Sequence, residues 1–158
     1  MATPYSDIFD LALMDLTSYE LDKLNTLSPT NFLLYMTGLL VRAIPSFTNC
    51  LQDLSARNDT TQTFTIELTE LEKDILASLV AVQVIKKEVF DIRQIRGMVQ
   101  NGSDANRYSE ANLLKEKLQL QSHLIELTDK KMTTYGLVNE DWSVFYDQPK
   151  KSNRADYR

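Results

Sequence analysis

The stretch from Thr69 to Gly136 constrains the fold more than any other part of the chain. Ile75, Leu76, Leu79, Val82, Ile85, Val89 and Ile92 return mostly at spacings of three and four, which puts them on one face of a helix running to about Gln100. Thr69 is a good N-cap, and Glu70, Glu72 and Asp74 place negative charge at the positive end of the helix dipole. Lys86, Lys87, Arg93 and Arg96 suit the C-terminal half. The turn-forming run "NGSDANR" interrupts the pattern, and Ser103 or Asp104 restarts it through "YSEANLLKEKLQLQSHLIELTDKKMTTY". Gly136 then stands where helices favour termination. Two long helices joined by so short a break are expected to pack as an antiparallel hairpin.

The first third predicts shorter helices around this pair. Ser6 is positioned to cap a helix through "DIFDLALM", with Ile8, Leu11 and Leu13 or Met14 on one side. Thr17 and Glu20 match a capping box. Ser28 and Pro29 open a further helix, "NFLLYMTGLLV", apolar most of the way round and therefore expected at the centre of the core. Pro45 ends or kinks it, and "PSFTNCLQDL" continues for a helical turn or two. Between Leu54 and Thr69 the turn residues of "SARNDTTQ" precede the Thr-rich, β-branched "TFTIEL", which predicts a small β-hairpin or an extended arm. The expected molecule is mainly α: a helical bundle over residues 4–136, containing the long hairpin and a short β arm near 54–68, followed by an extended C-terminal tail over 137–158.

Composition limits what such a bundle can do. With 43% hydrophobic residues among 158, one domain has enough apolar side chain for a sizeable core. No apolar run is long enough for a membrane span, and the acidic "MATPYSDIFD" does not resemble a secretory leader, so a cytoplasmic site of synthesis and no membrane partner are expected. The single Cys50 cannot form an internal disulfide or a multi-cysteine zinc site, and the single His123 stands beside Glu126 in the reverse order of a Glu-x-x-His metal motif. The carboxylate sets Glu67, Glu70 and Asp74, and Asp7 and Asp10, read as solvated helix faces; Asn58 and Asn101, though within glycosylation-like triplets, read as turns. No catalytic, cofactor-binding or metal site is predicted. The net charge of −5 divides unevenly: residues 1–79 carry four Lys and Arg against eleven acids, and residues 80–158 carry thirteen against eleven. That asymmetry either folds away within one molecule or lets the acidic side of one copy meet the basic side of the next, head to tail, and duplex DNA binding is disfavoured either way because it needs a concentrated basic face.

The tail "NEDWSVFYDQPKKSNRADYR" holds the sole Trp in a segment too polar to build a core of its own. Folding back of Trp142 and Phe145 onto the hairpin is one reading. The other is docking on a neighbour or partner, with Trp142, Phe145, Tyr146 and Tyr157 as aromatic anchors and Lys150, Lys151 and Arg154 as a basic rim. Leu113, Leu120 and Leu127 stand at heptad spacing, but Glu116 and Lys117 interrupt the partner row, so they read mainly as packing within the monomer.

The stretches "LLVRAIPSFTNCLQDLSARNDTTQTFTIELTELEKDILASLVAVQVIKKEV" and "RYSEANLLKEKLQLQSHL" resemble, in their order and their patterns, the head-to-tail connector (neck or adaptor) proteins of tailed bacteriophages. The resemblance spans about residues 5–136. It implies a structural virion protein at the neck, in a ring of about twelve copies beneath the portal protein, continuing the DNA channel towards further neck or tail proteins without sequence-specific DNA binding. It makes Thr63, Phe64, Thr65 and Ile66 an inter-subunit arm, and Trp142, Phe145 and Tyr146 portal anchors. The alternative from the residues alone is a small helical regulatory protein that binds one partner through its C-terminal linear motif.

Overall fold

A computed structural model describes residues 2–14, 16, 19–98 and 104–140. The chain is mainly helical with a small antiparallel sheet. A short strand, β1 (Thr3–Pro4), leads directly into α1 (Tyr5–Met14), followed by α2 (Tyr19–Leu27) and α3 (Pro29–Ala43). One 3-10 turn, Ile44–Ser46, ends α3 at Pro45, and no further helix follows before α4. The expected extra helical turns over "TNCLQDL" are therefore replaced by turns. Strands β2 (Arg57–Asn58) and β3 (Thr63–Phe64) form a hairpin, and α4 (Glu70–Met98) and α5 (Asp104–Asn139) complete the order.

Helix α4 is the centre of the molecule. Every residue from Ile75 to Val82 is buried, and α1, α3 and α5 all pack on it. The sequence pattern gave that place to α3, yet α3 leaves Leu34 70% exposed and turns only Phe32, Met36, Thr37, Leu39, Leu40 and Ala43 inward. Similarly α1 buries Tyr5, Ile8, Phe9 and Ala12, while Met14 faces solvent. Its helix begins at Tyr5, so Ser6 lies in the first turn and does not precede it. The Thr17–Glu20 capping box falls outside the described residues.

The long pair packs as an antiparallel hairpin whose levels are fixed by side-chain bonds. Lys117 Nζ lies 2.6 Å from Glu88 Oε2, Lys131 Nζ lies 2.8 Å from Asp74 Oδ2, and Tyr135 Oη donates to Glu72 Oε1 at 2.6 Å. As residue numbers rise along α5 they fall along α4. Leu114, Leu118, Leu124 and Met132 of α5 pack against the core. Helix α5 does not stop at Gly136. The glycine is helical with no positive φ, and Asn139 Nδ2 donates to the Tyr135 carbonyl at 2.8 Å.

The sheet orders its strands β1-β3-β2, with Thr3 opposite Phe64 and Arg57 also opposite Phe64. Pro4 sits on the edge strand β1, where a missing N–H is tolerated. The turn before β3 is closed by Asn58, whose Oδ1 accepts from the N–H groups of Thr60 (3.0 Å) and Thr61 (3.2 Å). Gln62 takes a left-handed φ of 53° there. Its carbonyl accepts the Tyr5 N–H at 2.8 Å and its Nε2 donates to Thr37 Oγ1 at 3.1 Å, so tertiary bonds hold a conformation that a non-glycine residue seldom takes. Tyr5, Phe9 and Phe64 then stack into an aromatic corner, with Tyr5 5.0 Å from the Phe64 ring and 6.2 Å from Phe9.

Candidate functional site

The sequence-predicted residues fall into three places. Thr63 and Phe64 are the middle strand of the sheet, paired on both sides within their own chain, and Phe64 is completely buried. Thr65 remains exposed, with its Oγ1 donating to the Ala56 carbonyl at 2.8 Å, and Ile66 is half-buried against the core. Phe64 thus ties β3 into the subunit's own core, and β3 itself, flanked by two partners, has no unpaired edge to offer, whereas the turn from Asn58 to Thr61 stays exposed. Trp142, Phe145, Tyr146, Lys150, Lys151, Arg154 and Tyr157 lie outside the described residues. His123 is exposed on α5, and Leu113, Leu120 and Leu127 keep 40–45% of their surface in solvent, so they flank the packed face of α5 and do not fill it.

Two features emerge that the spacing did not single out. The first is a polar knot at the N-terminus of α4. Glu72 is only 1% exposed. One carboxylate oxygen accepts the Thr69 N–H at 2.8 Å while Thr69 Oγ1 accepts the Glu72 N–H at 3.3 Å, a reciprocal capping box. The other oxygen accepts from Tyr135, whose own oxygen accepts the Leu51 N–H at 3.1 Å. One buried carboxylate therefore ties the start of α4, the end of α5 and the loop after α3. Burial, with the bond to Glu72 adding to it, pushes the Tyr135 hydroxyl up to about 12. Beside it, burial pushes the Cys50 thiol above its ordinary value, with Glu72 acting in the same direction against bonds from the Gln52 backbone and Tyr135. A nucleophilic cysteine needs the opposite shift.

The second feature is a groove of about 660 Å³ where α3, α4 and α5 meet. Leu39 and Val89, both buried, lie along its floor, and Phe90, 59% exposed, stands on its wall. Arg42 from α3 and Lys86 and Lys87 from α4 line it, with Gln83, Gln121 and Ser46 as neutral polar groups and no carboxylate among the described residues. Lys87 Nζ sits 4.3 Å above the Tyr35 ring, which steadies it by cation–π attraction. Tyr35, Glu88 and Asp91 line the next depression with Lys87, so Arg42 and Lys86 are the cations beside the apolar floor, and in a chain of net charge −5 they make a local binding surface for something acidic and apolar together. Lys86, Lys87 and Phe90 share one helical face, a pattern visible in the sequence, but Arg42 joins them only through the packing of α3 on α4.

Comparison with known proteins finds no matching family, no matching curated protein and no matching solved structure. Among the described residues no group of His, Cys, Asp and Glu is arranged to hold a metal ion, and no helix is long and apolar enough to cross a membrane.

Proposed function

We propose that the protein is a structural connector of the tailed-phage neck, assembling as a ring of about twelve copies beneath a portal protein and passing DNA towards the tail. The observation that carries this reading is the division of labour along the chain. The described body closes its core around α4 with no buried side-chain polar atom left without a partner, and the sole Trp stands beyond its last helix. With the buried polar groups of the described body already partnered, Trp142, Phe145 and Tyr146 are available to another surface, where aromatic side chains contribute most as anchors.

The test is an affinity capture from the source lysate. Full-length protein is compared with a version ending at Glu140, which keeps all of α5, and the retained proteins are identified by mass spectrometry. A portal-like ring retained by the full chain alone is the expected result. One soluble partner held at one-to-one stoichiometry would replace the connector with the regulatory reading, and equal capture by both versions would remove the tail from either.

A further inference from the structure

We infer that the Arg42–Lys86–Lys87 groove receives the acidic, aromatic segment 140–147, "EDWSVFYD", of a second copy of this chain, so that each subunit is clasped by its neighbour's tail. The inference departs from the resemblance by giving the tail aromatics to a neighbouring copy instead of the portal, with portal capture then lost on tail removal because the ring is lost; it rests on the connector reading for the number of copies only.

Charge and chemistry select the occupant. The groove offers Arg42 and Lys86, a buried aliphatic floor and the exposed Phe90 ring, with no carboxylate among its described lining, while Lys87 also lines the neighbouring depression of Tyr35, Glu88 and Asp91. Segment 140–147 offers the complement: Glu140, Asp141 and Asp147 around Trp142, Phe145 and Tyr146, with no Lys or Arg. Nowhere else in the chain do three aromatics lie within five residues beside three acids. Arg42 and Lys86 are exposed and have no acidic partner among the described residues, so neither must be detached from an existing ion pair to accept a new one.

Reach decides between the chain's own tail and a neighbour's. Gln121, on the α5 side of the groove, stands eighteen residues before Asn139, so about 27 Å of helix separates them at about 1.5 Å per residue. The Glu88–Lys117 pair sets Phe90 level with about Lys115, so about 36 Å of helix lies between that level and Asn139. On a fully stretched chain Trp142 extends at most about 10 Å past Asn139, Phe145 about 21 Å and Tyr146 about 25 Å, and a ring adds about 6 Å. None of the three rings reaches Phe90 of its own subunit. An intermolecular contact between two different patches is heterologous, the type that closes into rings.

Because Trp142 is the only tryptophan, its fluorescence reports this contact directly in the full-length chain. Two variants separate the halves of the contact: Arg42→Glu with Lys86→Glu reverses the groove and keeps the tail, and Trp142→Ala with Phe145→Ala blunts the tail and keeps the groove. In the unaltered protein the emission is expected to move to the blue as concentration rises, in step with sedimentation mass. Each variant alone should need at least about tenfold higher concentration to associate, with the loss shared between electrostatic and aromatic contributions. Mixing the two variants should restore the blue shift, since the only Trp present then enters the only intact groove. Emission that ignores concentration, wild-type association by the reversed groove, or a mixture that stays unshifted would each overturn the inference. If the reversed groove loses helicity, Arg42→Gln with Lys86→Gln takes its place. The experiment contains only this chain, so a failed mixture beside a captured portal ring removes the groove and leaves the connector. A restored mixture with no portal ring does the reverse.

Discussion

Glu72 ties the start of α4 to the end of α5, and each of its oxygens answers a group that burial would otherwise leave unpaired. Glu72→Ala strands the Thr69 N–H and the Tyr135 hydroxyl together, and is expected to cost about 2–4 kcal/mol. Tyr135→Phe keeps the ring against Phe47, whose centroid is 5.3 Å away, and should cost about 1–3 kcal/mol through the unpaired Leu51 N–H and Glu72 oxygen. Urea unfolding of both singles and the double should show the pair coupled, the double costing clearly less than the sum. The same hydroxyl sets an alkaline limit. Its folded pKa is raised above the unfolded value near 10, so the folded state holds the proton more tightly, and its contribution is whole below pH 10 and is lost as pH rises towards 12. Tyr5, raised further by burial and its bond to Asp59, adds a loss of the same sign. Stability measured from pH 9 to 12 should therefore fall, and fall less steeply in Tyr135→Phe. Little of this was legible beforehand. Thr69 as a cap followed from residue type, but Glu72 read as one more first-turn acid, since nothing in a local pattern tells that Tyr135, more than sixty positions away, will cover it.

At the scale of elements, the two helical glycines give a controlled comparison. Gly38 lies exposed in α3 with open space where a Cβ would go, whereas a Cβ on Gly136 meets Asn49 Nδ2 at 3.1 Å. Gly38→Ala should raise stability by about 0.5–1 kcal/mol through helix propensity alone. Gly136→Ala should gain less, because Asn49 must shift from its 2.8 Å bond to the Met132 carbonyl. Chemical denaturation of the two variants tests the order. The same glycine explains why the end of α5 was misplaced. Gly136 signals a stop only where the backbone turns left-handed, and here Tyr135, anchored on Glu72, and Asn139, bonded to the Tyr135 carbonyl, carry the helix past it. The long pair and the hairpin, by contrast, followed from periodicity and turn chemistry. The ranking of α3 and α4 did not, because a run of apolar letters in α3 shows hydrophobicity but not which faces its neighbours leave uncovered.

For the molecule as a whole, Arg42 from the acidic half of the sequence and Lys86 from the other half meet on one surface, the basic groove on α3, α4 and α5. The body should not need the tail for its own stability. Ending the chain at Glu140 is expected to change unfolding free energy by less than about 0.5 kcal/mol and to leave helical circular dichroism per folded residue unchanged, since the described core is complete without it. A larger loss would mean that the aromatics pack on their own subunit, which would favour the folded-back reading of Trp142 and Phe145.

Strand β1 carries a consequence for the order in which the protein takes shape during synthesis. Thr3 donates its N–H to Ile66 and its hydroxyl oxygen accepts the Leu68 N–H at 2.8 Å, so the sheet's outer strand finds its bonds only after about sixty more residues have been made. At translation rates of roughly 5–20 residues per second, α1 then waits several seconds with Tyr5, Ile8 and Phe9 uncovered, and longer still for the α4 face on which it packs. The β2–β3 hairpin, closed by its own turn, needs no such delay. Nascent chains halted before α4 emerges should therefore offer α1 to chaperones or proteases, and those halted after it should not.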